Sequence, residues 1–180
     1  ITSNHFLVPK ILDRRGTSYE RLGDWENAEK DLLKSLEILP DQAHVLNYLA
    51  YSWVDKGINL DKGLKMLKKA NEIRKGDGYI IDSLGWAYYA LNDYRSSIKE
   101  FEKVFSFPGT NKADDAQFKL GLCYVNIGEI NKAKKEFESL KNVKFSSSMG
   151  ESIKGSDIVI IHTEWNDFKS VSYTHLRAHE

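Results

Sequence analysis

Two histidines near the end of the chain, His175 and His179, stand four residues apart in YTHLRAHE. On a helix that spacing places both imidazoles on one face, from which a metal pair could be built. Other residues with chemical potential are scattered. His5 and His44 have no partner at ligand spacing, and the single cysteine, Cys123, lies between Leu122 and Tyr124, where a thiol behaves as a small core hydrophobe. The GDG of Gly76 to Gly78 lacks the following Lys and Ser or Thr of a phosphate-cradling loop and reads as a turn. Asp114 and Asp115 fall at an expected helix start, where carboxylates complement the dipole. These residues point to no catalytic constellation and no cofactor.

The elements that would position a site come from a chain of 180 residues, 41% hydrophobic and 29% charged. Twenty-six basic and 26 acidic residues cancel, so the field that accompanies nucleic-acid or anionic-membrane binding is missing and neither partner is expected. A bilayer span needs roughly 20 apolar residues, far more than the aliphatic run Ile158 to Ile161 offers. The chain opens at Ile1 rather than Met, and ITSNHFLVPK has no signal-peptide core, so a fragment of a longer protein is expected.

A period in the mid-thirties runs through the first 140 residues. Small residues recur at Gly16, Ala50, Gly85 and Gly121, and an aromatic follows three later at Tyr19, Trp53, Tyr88 and Tyr124. A second small residue comes at Ala28, Gly63, Ser97 and Ala133, with Leu32, Leu67, Phe101 and Phe137 four beyond it. Each unit reads as two amphipathic stretches broken by a turn: LGDW, KGINL, LNDY and IGEI. Gly or Asn at these breaks suits a left-handed helix end, and Asp24, Asn59, Asp93 or Glu129 then sits near the next helix start. One helical hairpin cannot bury its own apolar face, so the units must stack, with the aromatic in the wedge between neighbours. The spacing predicts an all-α, right-handed solenoid of four hairpins, at 9–42, 43–77, 78–113 and 114–142, behind an N-terminal remnant at 1–8.

With its small and aromatic signal in the first helix, its Ala and bulky residue in the second, and Pro40 closing repeat one, the stretch 9–142 resembles the tetratricopeptide repeat. Repeat two departs most, with Ala50 for the first Gly, Gly63 for the usual Ala and Lys75 near the closing Pro, and is expected to be the loosest hairpin. Repeats two and three are further similar to bacterial tetratricopeptide proteins, many of them lipoproteins. Repeat four is similar to the C-terminal repeats of the Tol-Pal-associated periplasmic coordinator proteins. These resemblances imply an envelope location, with the cytoplasm as the alternative.

The resemblance implies no enzyme but a scaffold that takes a protein or peptide in an inner groove lined by the first helix of each hairpin. Carried over position by position, the groove comprises Lys10, Asp13, Thr17 and Glu20, then His44, Asn47, Tyr51 and Val54. Repeat three adds Tyr79, Asp82, Trp86 and Tyr89, and repeat four Asp115, Phe118, Leu122 and Val125. Asn47, Tyr51, Tyr79, Asp82, Trp86, Tyr89 and Phe118 are the expected partner-binding residues, since rigid aromatics bury much area at low entropic cost. The alternative for Phe118 and Leu122 is packing against the next helix. The family's carboxylate clamp is not reproduced, only Asn47 falling at a comparable position, which disfavours chaperone-tail binding.

After Phe145 the pattern ends in a linker, 143–150. The run Ile158 to Ile161 reads as a strand buried on both faces, for which the helical repeats supply no neighbour. SIKGSDIVIIHTEWNDFKS, within 151–170, resembles the UDP-binding C-terminal domain of UDP-glucose/GDP-mannose dehydrogenases, through Thr163, Glu164, Trp165 and Phe168. That family's dinucleotide-binding glycines and nucleophilic cysteine are absent, so a second reading of the chain is a dehydrogenase fragment fused by misassembly, without activity. The last ten residues, VSYTHLRAHE (171–180), are similar to one translated frame of a transposase-based sequencing adapter. On that reading the His175 and His179 pair is accidental, no metal site remains, and the chain is a metagenomic chimera with a poorly ordered, non-solenoid tail.

Overall fold

A computed structural model of the chain describes residues 7–107 and 113–140. Within them run eight helices: α1 (Val8–Arg21), α2 (Trp25–Ile38), α3 (Ala43–Asp55), α4 (Leu60–Ile73), α5 (Gly78–Ala90), α6 (Tyr94–Val104), α7 (Ala113–Asn126) and α8 (Ile130–Glu138). Each odd-numbered helix packs against the one after it, and successive hairpins meet through α2 with α3, α4 with α5 and α6 with α7. Helices α3, α5 and α7 are also neighbours, and together they form one face of the stack. This is the expected all-α solenoid. No described helix is long and apolar enough to cross a membrane. His5, the strand expected at Ile158 to Ile161, the dehydrogenase-like stretch and the terminal histidine pair lie outside the described residues.

The turn inside each hairpin is built the same way four times. Gly23, Gly57, Asn92 and Gly128 take positive φ, and the following amide donates back to a carbonyl five residues earlier. Those acceptors are Tyr19, Trp53, Tyr88 and Tyr124, the recurring aromatics, each bonded at 2.9 Å. A left-handed residue followed by this long bond satisfies carbonyls the helix end leaves open. Asp24 and Asp93 then cap α2 and α6, accepting from the Asn27 and Ser96 amides, whereas Asn59 and Glu129 make no side-chain cap.

Glycine on the first helix lets the second helix lay its bulky residue across it. A Cβ on Gly85 would come within 2.7 Å of the Phe101 ring, and one on Gly16 within 3.0 Å of Leu32. Gly121 bears the Phe137 ring in the same way. Hairpin two corrects the expectation of looseness. Ala50 replaces the first Gly, but Gly63 simultaneously replaces the Ala of the second helix, and a Cβ there would lie 3.3 Å from the Ala50 carbonyl. The small residue has moved across the contact, so close approach survives, and Ala50 and Leu67 are wholly buried.

The aromatics join hairpins as expected of a wedge. Trp53 is buried among Leu32, Val45 and Leu49, and its indole Nε1 donates to Glu29 of α2. Tyr124 donates through its hydroxyl to Glu102 of α6, and Lys68 of α4 lies over the Tyr88 ring. Burial of a side chain such as Leu49 stabilises by about 1.5–3 kcal/mol, which exists here only because neighbouring hairpins close over it. Ser97 replaces the usual Ala without loss, because its hydroxyl donates to the Gly85 carbonyl at 2.8 Å.

Candidate functional site

The repeat register sets the geometry of the face formed by the first helices. Asp13, Asn47, Asp82 and Phe118 occupy one position of the repeat, and His44, Tyr79 and Asp115 another. Thr17, Tyr51, Trp86 and Leu122 share a third, and Arg14, Tyr48, Ser83 and Lys119 a fourth. At the second and third junctions, residues of the first and third positions on one helix meet the fourth position of the next.

At the first junction the positions are filled by opposite polarity. Asp13 meets His44 at 3.1 Å, and the Tyr48 hydroxyl donates to Glu20 at 2.8 Å. Burial, reinforced by the Glu20 carboxylate, pushes the Tyr48 phenol up to about 12.

The third junction is filled by an ion pair. Asp82 is fully buried, and Lys119, 7% exposed, donates to its two oxygens at 3.1 and 3.2 Å and to Asp115 at 2.8 Å. Burial alone would lower the Lys119 ammonium, but the two carboxylates outweigh it and hold the group above its ordinary value. The Nζ also lies 5.4 Å from the Trp86 ring centre. Trp86 stacks on Tyr89 at 4.9 Å and 7°, Tyr94 meets Tyr89 edge-on, and Asn126 donates to the Tyr89 hydroxyl.

The second junction is left open. Asn47, Tyr48, Tyr51, Tyr79 and Ser83 line a hollow of about 110 Å³. Tyr79 is 49% exposed at its rim, and Ser83 donates to the Tyr79 carbonyl at 2.9 Å. The Asn47 Oδ1 is closed off from water with no hydrogen-bond partner, one of two such side-chain atoms among the described residues. An unsatisfied buried acceptor costs about 1–3 kcal/mol.

The expected groove residues therefore separate. Asn47, Tyr51 and Tyr79 come together around the hollow, and Trp86 and Tyr89 form a half-buried aromatic shelf at the next junction. Asp82 lies beneath the face rather than on it, because the Lys119 ammonium draws it into a buried pair. Phe118 is half-buried and tilts onto Phe137 of α8 at 5.6 Å, the packing role that was its alternative. Tyr48, Ser83 and Lys119 were not singled out from the sequence, although their shared register with Arg14 was there to be read.

Cys123 is wholly buried, its thiol 3.2 Å from the Ser97 hydroxyl, and burial pushes it up to about 11, well away from a reactive thiolate. Among the described residues no group of three or more His, Cys, Asp or Glu side chains could hold a metal ion. A broader depression of about 480 Å³ lies on α1 and α2, lined by Leu12, Leu33 and the Arg15–Asp31 pair, away from the first-helix face.

Comparison with known proteins finds repeats in three stretches of the chain. A family model described as tetratricopeptide repeat matches residues 9–42 and 80–109, and a second of the same description matches 115–143. The TPR repeat-containing protein PA4667 of Pseudomonas aeruginosa is 32% identical over 79 residues, 44% of this chain. The match spans 13% of that relative's length. Among solved structures, MamA aligns with a TM-score of 0.60 at 24% identity, covering 68% of this chain and 70% of its own. PilF of Pseudomonas aeruginosa aligns at 0.66 and 19% identity, covering 76% and 61%. At such identities the likeness is one of fold.

Proposed function

The chain belongs to the tetratricopeptide-repeat family, and from that premise we propose that it is a non-enzymatic interaction scaffold whose first-helix face binds a peptide segment of a partner protein. The observation that carries this reading is the row Tyr51, Tyr79, Trp86 and Tyr89, aromatics left half-buried or exposed on adjoining helices beside an open hollow. Tyrosine and tryptophan in such positions gain most when a partner completes their burial. The binding set is Asn47, Tyr51, Tyr79, Trp86 and Tyr89, with Asp82 acting from below by holding Lys119.

Selection of a random-peptide phage library against the full chain tests the reading. Binders are expected, and Tyr79→Ala should weaken them about tenfold or more, as truncating an interface anchor does. Tyr79 is half exposed, so its loss leaves the helical melting curve nearly unchanged. Binders indifferent to both Tyr79→Ala and Tyr51→Ala would refute the groove.

The dehydrogenase-fragment reading rests on the resemblance of 151–170 alone. UDP-glucose binding to the full chain that is lost on truncation after Lys144 would support it; silence in that titration is the result expected here.

A further inference from the structure

Hairpin one carries an open copy of the seat that hairpin two fills. In repeat register Ile11 stands where Val45 and Ile80 do, Leu12 where Leu46 does, Arg15 where Leu49 does and Lys34 where Lys69 does. Val45 clusters with Leu32 of α2 and Ile80 with Ala70 of α4, so both are buried by the second helix of the preceding hairpin. Ile11, with no such helix before it among the described residues, is 59% exposed. Leu36, one turn beyond Leu32, packs against the clusters that hold Leu46 and Leu49. The loop after α2 is then tied down by Lys69, whose ammonium lies 2.7 Å from the Asp41 carboxylate and donates to the Pro40 carbonyl. On hairpin one the same ground is the depression of about 480 Å³, whose lining includes Leu12, Arg15 and Lys34. There Lys34 pairs with Glu37 of its own helix instead.

We infer that this end of the stack is a docking surface for the second helix of another tetratricopeptide hairpin, one that lays apolar residues four apart on Ile11 and Leu12 and brings an acidic closing loop to Lys34. This surface is separate from the proposed groove and does not depend on it. Charge narrows the choice of hairpin. Arg15 holds Asp31 through Nε and Nη2, and the fork of the guanidinium leaves Nη1 on the side away from that pair, on a side chain 55% exposed. A helix that brings a carboxylate there gains a charge-assisted bond, whereas one that brings only leucines desolvates a cation without compensation. Arg15, Lys30 and Lys34 also outnumber Asp31 and Glu37 around the depression, which favours an acidic flank over a basic one. Helix α2 has this character itself: besides Leu32 and Leu36 it carries four acids, Glu26, Glu29, Asp31 and Glu37, against Lys30 and Lys34.

The test is a full chain in which residues 9–42 are duplicated in tandem, so that an outer α2 and its loop precede an inner α1 at the natural repeat spacing. This variant should melt in one transition, about 5 °C or more above the parent, because an added hairpin that docks adds an interface to the stack. Ile11→Glu in the inner copy should remove that gain, and the same change in the outer copy, where the side chain stays exposed, should leave it within about 1–2 °C. The two variants have identical composition, so the difference between them reports the docked face alone. Lys34→Glu in the inner copy, opposite the outer Asp41, should cost about 2 °C more than in the outer copy. Two separate transitions, no rise in the midpoint, or equal effects of Ile11→Glu in the two copies would overturn the surface. Equal effects of Lys34→Glu would overturn its preference for an acidic loop. Sedimentation of the unduplicated chain covers the other occupant: a dimer that Ile11→Glu dissolves would put a second copy on this face in place of the hairpin and overturn the assignment.

Discussion

Gly85 of α5 lies under the ring of Phe101 of α6, so close that a Cβ would sit 2.7 Å from the ring edge. The pair is one of four versions of a single contact, the others being Gly16 with Leu32, Ala50 with Leu67 and Gly121 with Phe137. Phenylalanine is tolerated on the second helix only where the first carries no side chain.

Gly85→Ala should accordingly destabilise the array by about 1–3 kcal/mol, the usual cost of overpacking, read as a lower thermal midpoint by circular dichroism. Combining it with Phe101→Leu, which recreates the Ala50 and Leu67 pairing, should recover part of that loss. A double variant no better than the sum of the singles would contradict the proposed contact.

Lys119→Met removes the buried ammonium that bonds both oxygens of the fully buried Asp82 carboxylate and should cost about 3–5 kcal/mol in urea unfolding. Removing both charges together, Asp82→Leu with Lys119→Met, should be much milder than the single change. If the single change were harmless, the pair would not be holding α5 to α7.

Alkaline pH should destabilise the array. Lys119, Cys123, Tyr48 and Tyr124 all hold their protons more tightly in the folded chain, Cys123 at about 11 and each tyrosine at about 12. A raised folded value contributes stability that is whole below the unfolded value and is lost as pH rises through the folded one. For Cys123, whose ordinary value is 9.0, the decline begins there, and the tyrosines extend it from 10.0 to about 12. Urea midpoints should be flat near neutrality and fall steadily above it, and the Cys123 thiol should react with Ellman's reagent only on unfolding. A midpoint that climbs with pH in the alkaline range would contradict these environments.

The turns were legible residue by residue, because Gly23, Gly57, Asn92 and Gly128 carry their backbone conformation in their type. The aromatic positions were legible as a wedge, since one period shows what each hairpin must share with the next. The burial of Asp82 was not, because it depends on Lys119, 37 residues on and in the following repeat. A pattern drawn from single repeats does not say which polar positions meet across a junction. The tightness of hairpin two was missed for a related reason: Ala50 and Gly63 each look like a departure, and only their contact shows that they compensate.

The central claim is that partners are held on the first-helix face, and NMR shift mapping of a library-selected peptide on the full chain tests it most directly. The account predicts that the largest shifts fall on Tyr51, Tyr79, Ser83 and Trp86, with α2, α4, α6 and α8 little affected on their outer surfaces. Shifts concentrated instead around Arg15, Asp31 and Leu33, or spread along the second helices, would contradict it.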